Sequence, residues 1–141
     1  MTPDAAAVLL PFPAPVAPTQ RLTLFAVRRM AAFGLNDAHA ANAMLCGFGL
    51  GYRRPLILLR AFMHELATGS SRAIRIAPCC ALRMTEDEAH MLGALAAACE
   101  DSRNAAGHLA SLTGRAINNP ALSAAMAYND ALADMGRPMA G

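Results

Sequence analysis

The sequence predicts an all-α fold, a single-domain bundle of five or six helices, on the basis of three observations. Alanine, the strongest helix former, supplies 33 of the 141 residues. Aromatic residues make up 5% of the chain and Trp is absent, so the core requires close helix approach, with Leu, Met and Phe between small Ala faces. Apolar residues recur at three- and four-residue spacing along most of residues 19–141, which we take as the helical domain.

Residues 1–18 differ from the rest of the chain. Five prolines interrupt this segment, and it contains an acidic residue but no basic one. This composition predicts a flexible, polyproline-like arm and does not resemble a secretory signal. Further along, the uncharged stretch from Ala38 to Tyr52 has fifteen residues, fewer than the roughly twenty needed to span a bilayer. We therefore expect no transmembrane segment.

The first two predicted helices have clear boundary signals. Thr19 can cap a helix over residues 20–33, which Gly34 ends. Either Asn36 or Asp37 can cap the second helix, and a group of glycines from position 47 onward ends it. The face of the first helix that we expect to be buried consists of Leu22, Phe25, Ala26, Met30 and Phe33.

The third predicted helix begins near Pro55, which suits a first helical turn, and reaches about Thr68. Residues 69–72 break this helix, and residues 73–78 could form a short extended piece with two isoleucines on one side. The apolar face expected to be buried in the third helix consists of Leu56, Leu59, Phe62, Met63 and Leu66.

The second half of the chain contains the clearest boundary. Thr85 and, three residues later, Glu88 form a capping box, and the three acidic residues at positions 86–88 favour the positive end of a helix dipole. His90 follows Glu86 by one helical turn and is expected to pair with it on the helix surface. The predicted helices of this half run from Thr85 to about Cys99, from Arg103 to Ala116 and from Asn119 to Gly136.

Arginine supplies all twelve basic residues, and these are unevenly placed. Residues 19–60 contain six arginines and one acid, whereas the segment from residue 85 onward contains seven acids and three arginines. Either the two regions pair within one fold or across a homodimer, or the arginines bind an anion through their forked donors. The best anion site is expected where two arginines precede Pro55 at a helix start. The candidate residues for binding an anion or a partner are Arg28, Arg29, Arg53, Arg54 and Arg60.

The four cysteines lack the regular spacing of a disulfide framework or of paired C-x-x-C zinc ligands, so reduced thiols in a cytoplasmic protein are expected. The adjacent pair Cys79 and Cys80 precedes a helix start and lies near an arginine, a setting that favours a reactive or metal-binding thiol. His39 and His64 could complete a metal site if the third helix folds over this loop. The alternative interpretation is that both cysteines are small buried thiols.

Few function classes are supported by motifs. The chain lacks the H-E-x-x-H, P-loop, G-x-G-x-x-G and G-x-S-x-G patterns, so a non-catalytic protein without a cofactor is expected. A net charge of +2 without lysine clusters argues against a nucleic-acid partner. We therefore expect a helical interaction or regulatory protein that binds an acidic protein partner or an anionic ligand through an arginine-rich surface. The alternative is a thiol or metal-binding module at Cys79 and Cys80.

Several short strings in the chain resemble those of a small uncharacterised bacterial family of unknown function. The resemblance covers roughly residues 19–100 and implies no activity, cofactor or site residue. The strings are Arg28-Arg29-Met30, Arg53-Arg54-Pro55-Leu56, Ala77-Pro78-Cys79-Cys80 and Arg83-Met84-Thr85.

Self-association is a testable consequence of the composition. The apolar fraction of 55% and the charge asymmetry between the two halves predict a helix face that pairs with a second copy of the chain. Analytical ultracentrifugation at tens of micromolar is expected to show a dimer. A strict monomer at that concentration would contradict this prediction.

Overall fold

The computed structural model describes residues 10–139. This part of the chain contains six α-helices, which confirms the predicted all-α fold. None of these helices combines the length and apolar character that crossing a membrane requires. The helices are α1 (Pro18–Phe33), α2 (Ala38–Phe48), α3 (Arg53–Gly69), α4 (Glu86–Ala97), α5 (Ser102–Thr113) and α6 (Asn119–Asp134), with a 3₁₀ turn over Gly49–Tyr52 and two short strands, β1 (Phe12–Pro13) and β2 (Arg83–Met84).

One hydrophobic core joins all six helices. The most extensive helix contacts join α3 to α6 and α4 to α5, and α1 packs on α2. Tyr128 of α6 is fully buried, and its hydroxyl group lies 2.8 Å from the Thr23 hydroxyl of α1. Burial raises the pKa of Tyr128, because the charged form would lose its hydration. The predicted apolar face of α3 is buried as expected.

Most helix boundaries follow from local capping. Asp37 accepts a hydrogen bond from the Ala40 amide at the start of α2, and Gly34 ends α1 with a φ of 105°, where side chains are unfavourable. The capping box of Thr85 and Glu88 is present at α4. Gly34 and the capping box were predicted from the sequence, and Asp37 is one of the two caps that the sequence left open.

Two expected helix starts are displaced. Helix α1 begins at Pro18 rather than after Thr19, because the fixed φ of proline and its missing N–H suit the first helical position. Helix α6 has Asn118 as its N-cap, one residue before the expected Asn119. The Asn118 side chain accepts a hydrogen bond from the Thr113 hydroxyl at 2.7 Å, which ties the start of α6 to the end of α5.

The face that α1 buries was predicted incorrectly in part. Phe25 and Phe33 are exposed, whereas Thr23, Val27 and Arg28 are buried. An arginine on the inner face contradicts the apolar pattern, and its burial requires a compensating charge. That charge comes from a helix in the other half of the chain.

A buried ion pair between Arg28 of α1 and Glu88 of α4 provides this compensation. The Arg28 Nε donates to Glu88 Oε2 at 2.7 Å, and the Arg28 Nη2 donates to Glu88 Oε1 at 3.1 Å. The guanidinium group also donates to the carbonyl oxygens of Ala81 and Arg83. Glu88 in turn accepts the backbone N–H of Thr85. Each charged group therefore satisfies backbone groups as well as its partner.

The segment expected to be extended, residues 73–78, forms no strand. Its backbone N–H groups bond to side chains instead: Arg75 donates to Asp87 Oδ2 at 2.8 Å, and Ala77 donates to Glu88 Oε2 at 3.3 Å. The carboxylates at the start of α4 thus accept hydrogen bonds that a neighbouring strand would accept in a β-sheet.

The predicted N-terminal arm falls partly outside the described residues, which begin at residue 10. Residues 10–17 contain β1, which pairs antiparallel with β2. The Arg83 guanidinium group donates to the carbonyl oxygens of Leu10 and Pro11. This part of the segment is therefore held against the helical body.

Replacement of Glu88 by Gln is expected to destabilise the protein strongly. The change leaves the Arg28 guanidinium buried without a counter-charge, which costs about 3 to 5 kcal/mol in the free energy of unfolding. Urea unfolding monitored by circular dichroism would measure this loss. Glu86→Gln is the matched control, because Glu86 lies in the same helical turn with 72% of its side chain exposed. Equal stability of the two variants would contradict the role assigned to the pair.

Candidate functional site

The first two candidate arginines are engaged within the protein. Arg28 is buried with Glu88, and Arg29 forms a two-pronged pair with Asp37, at 3.0 Å from Nε to Oδ2 and 3.1 Å from Nη2 to Oδ1. The Arg29 guanidinium group also stacks on the Phe33 ring at 4.0 Å. Hydrogen bonding to Arg29 is the main reason that the pKa of Asp37 is lowered. An external anion would have to displace a carboxylate from either arginine.

The other three candidate arginines differ in their surroundings. Arg60 donates its Nε to the Leu35 carbonyl oxygen at 2.8 Å. Arg54 lies 2.9 Å from Asp134 of α6, but 58% and 65% of these two side chains are exposed. Arg53 is exposed and forms no ion pair with any residue between 10 and 139. The Arg53 and Arg54 guanidinium groups are therefore the accessible ones among the five.

The helix start that was expected to assist these arginines lies elsewhere. The 3₁₀ turn Gly49–Tyr52 leads directly into α3, and Tyr52 has right-handed helical dihedrals, φ −64° and ψ −22°. The free N–H groups and the positive dipole end of this helical segment therefore lie near Gly49. The expectation that Arg53 and Arg54 stand at the free helix start is wrong, because sequence alone did not show the preceding turn.

The 3₁₀ turn adds a feature that was not predicted. Leu50, Arg53, Arg54 and Ile57 follow the spacing of one helical face, with intervals of three, four and seven residues from the first. Leu50 is 93% exposed and Ile57 is 60% exposed. We name these four residues the arginine stripe. It combines two exposed aliphatic side chains with two exposed cations on one surface.

The candidate thiol and metal residues are not brought together. Cys80 is exposed, and Cys79 lies beside the Arg29 guanidinium group. His39 is exposed near Asp37, whereas His64 lines a cavity formed by α1, α3 and residues 70–76. Across residues 10–139, no three or more His, Cys, Asp and Glu side chains form a group that could hold a metal ion.

The cavity beside His64 has a volume of about 450 Å³. Apolar side chains such as Met30, Met63 and Met91 form much of its wall. Arg72 also lines it, but this guanidinium group donates to Asp87 at 3.0 Å and to the Leu112 carbonyl oxygen at 2.8 Å. The positive charge of Arg72 is therefore paired with groups of the protein.

The structure brings together a pair of histidines between α4 and α5 that the sequence did not predict. The Nδ1 atoms of His90 and His108 lie 2.9 Å apart, and the ring planes are inclined by 55°. His90 Nε2 is 3.7 Å from Glu86 Oε1, which agrees with the expected surface pair. His108 packs against Gly93, where a Cβ atom would lie only 2.7 Å from the His108 Nε2. No local signal connects the two histidines, because they lie 18 residues apart on different helices.

Comparison with known proteins gives one family. The model of a family of unknown function, DUF6628, matches residues 1–136, a longer region than the resemblance seen in the short strings. No curated protein and no solved structure matches the chain.

The histidine pair predicts an acid-sensitive stability. Burial, followed by the charge of His90, lowers the pKa of His108 from its ordinary value of 6.5. Below that pH, the unfolded chain therefore binds a proton that folded His108 does not, and stability falls as the pH decreases toward the lowered pKa. NMR titration of the imidazole resonances and urea unfolding at several pH values would test this.

His108→Gln is expected to reduce the loss of stability on acidification, because the variant has no imidazole at this position. His64→Gln is the control, since His64 is exposed and this change is expected to preserve the acid-dependent loss. Titration of His108 at or above pH 6.5 would contradict the prediction.

Proposed function

Because the chain belongs to this family of unknown function, we propose a function from the geometry: a non-catalytic helical interaction protein that binds an acidic protein partner through the arginine stripe. The observation that carries the proposal is the exposure of Leu50 and Ile57, at 93% and 60%, next to two exposed guanidinium groups. Exposed apolar side chains that share one surface mark interaction sites more often than exposed side chains that are scattered singly.

The composition of the stripe indicates the chemistry of the partner. Two aliphatic residues seven positions apart suit an amphipathic helix with apolar residues at a similar spacing. The cations between them suit carboxylates on that helix, because arginine forms two parallel hydrogen bonds to a carboxylate. A small inorganic anion would contact Arg53 and Arg54 but would leave the aliphatic side chains in water.

The contacts that the five candidate arginines form within the protein also favour the arginine stripe as the binding surface. The exposed pair of Arg54 and Asp134 contributes little to stability, because water screens it. A partner carboxylate can therefore replace Asp134 at small cost. Arg28, Arg29 and Arg60 satisfy groups of the protein, so we assign them to the fold rather than to binding.

A second candidate function is a thiol or metal-binding module at Cys79 and Cys80. It is favoured by the position of Cys79 near the Arg29 guanidinium group, a cation that can pair with a thiolate sulfur. The turn that presents both cysteines is closed by a hydrogen bond from the Ala81 amide to the Pro78 carbonyl oxygen at 3.0 Å. Alkylation of Cys79 no faster than that of exposed Cys46 would remove this candidate.

Binding of an acidic amphipathic peptide would test the leading proposal. The probe is a fluorescein-labelled helical peptide with Leu at positions i and i+7 and Glu at i+3 and i+4, and fluorescence anisotropy measures its Kd. The double variant Arg53→Gln and Arg54→Gln is expected to weaken binding about tenfold or more. The loss of one hydrogen bond to a charged group costs at least the free energy that corresponds to a tenfold change in Kd. The melting temperature is expected to stay nearly unchanged.

Two further variants sharpen this experiment. Leu50→Ser is expected to weaken binding without changing the charge, because the peptide then loses an apolar contact. Arg115→Gln is the matched control, since Arg115 is exposed and lies outside the stripe. If the double variant melts several degrees lower and binds the peptide unchanged, the arginines are structural and the proposal fails. Binding of a second copy of the chain to the stripe would identify a homodimer instead.

A further inference from the structure

The pairing of His90 and His108 places two imidazole nitrogen donors at one point between α4 and α5. We propose that the Nδ1 atoms of these two histidines bind one divalent transition-metal ion of the group Zn²⁺, Ni²⁺ and Cu²⁺. This histidine clasp is separate from the arginine stripe, which lies on α3 and the turn before it. It is also separate from the cysteines considered above.

The distance between the two donors suits a shared ion. Nitrogen ligands bind these metals at about 2.0 to 2.1 Å, so two neighbouring ligands lie roughly 2.9 to 3.4 Å apart at bond angles between 90° and 109°. The two Nδ1 atoms are already 2.9 Å apart. The separation of the donors therefore already fits a shared ion. In the metal-free pair the two nitrogen atoms point at each other, so each ring must also turn until its lone pair points at an ion beside the line that joins them.

The hydrogen shared by the two Nδ1 atoms can move to the other nitrogen of its own ring when a metal binds. In the metal-free pair, one Nδ1 donates its hydrogen to the other Nδ1, so one ring has its proton on this side. Metal binding requires a lone pair on both Nδ1 atoms, and the hydrogen of the donor ring moves to its Nε2 by exchange with water. Both imidazoles then remain neutral, and the metal replaces the shared hydrogen.

Two contacts orient the rings for this role. His90 Nε2 faces Glu86 Oε1 at 3.7 Å, so a proton on Nε2 has a carboxylate nearby and Nδ1 is available to the metal. A separation of 3.7 Å is longer than a hydrogen bond, and a rotation of the exposed Glu86 side chain would bring it to the hydrogen-bonding distance at which carboxylates commonly support histidine ligands. His108 is confined on its other side by Gly93, where any larger residue would strike the ring. Gly93 thus allows the close approach of the two helices at the clasp.

The remaining coordination positions face an open cavity of about 470 Å³ next to both histidines. Asp101, Arg103 and Asn104 also line this cavity. Among residues 10–139, no third His, Cys, Asp or Glu side chain forms a metal-binding group with the two histidines. Water therefore completes the coordination. We therefore expect weaker binding than at sites with three or four protein ligands, and an affinity order in which Cu²⁺ binds best.

Isothermal titration calorimetry on the full chain without a histidine tag would test the clasp, with ZnCl₂, NiCl₂ and CuCl₂ as titrants. One ion per chain is expected, together with a rise in melting temperature, because the ion binds only the folded arrangement. His90→Gln and His108→Gln are each expected to abolish this binding. Glu86→Gln is expected to weaken it about tenfold, the effect of losing a supporting carboxylate.

The controls separate the clasp from the other metal candidates. His64→Gln and the double variant Cys79→Ser and Cys80→Ser are expected to leave binding unchanged. Circular dichroism of each variant shows whether it has folded, and Glu86→Gln tests the site without removing a ligand. Absence of binding at about 1 mM metal would overturn the proposal. Binding that persists in both histidine variants would also overturn it, and loss of binding in the cysteine variant would assign the ion to the thiols.

Discussion

The ion pair between Arg28 and Glu88 is the interaction on which the rest of the structure depends. Residues 70–85 contain little regular secondary structure, so their backbone groups need partners from side chains. Arg28 and Glu88 together form four hydrogen bonds with backbone groups of this segment, and Asp87 forms a fifth. The pair therefore joins α1 to α4 and holds the connecting segment against both. An apolar pair of similar volume would leave these backbone groups unsatisfied.

The ion pairs explain part of the uneven charge distribution in the chain. Arg28 and Arg54 of the basic first half pair with Glu88 and Asp134 of the acidic second half. Part of the asymmetry thus serves contacts within one fold, one of the two interpretations that the sequence left open. What remains for an external partner is a small surface, Arg53 and Arg54 with the aliphatic residues that flank them. Its selectivity would come from combining charge and apolar area, because charge alone is screened by salt.

The arginine stripe and the histidine clasp use different physical principles. The stripe is a convex helix face whose cations are accessible, so it suits a macromolecular partner that covers a surface. The clasp consists of two nitrogen donors from neighbouring helices at a separation that fits one metal ion, so it suits a single ion. Both lie within the region that the family model matches, residues 1–136. Each can therefore be tested in other members of the family.

The presence of the six helices and several of their ends can be read from the amino-acid sequence. Gly34, Asp37 and the capping box at Thr85 act on atoms within three or four residues, so their effect can be read from spacing. The tertiary structure alone decided that Arg28 is buried with a partner 60 residues away, while Phe25 and Phe33 face outward. It also decided the pairing of His90 with His108. Such contacts depend on how whole helices pack, and the cost of burying a charge depends on the partner that packing brings to it.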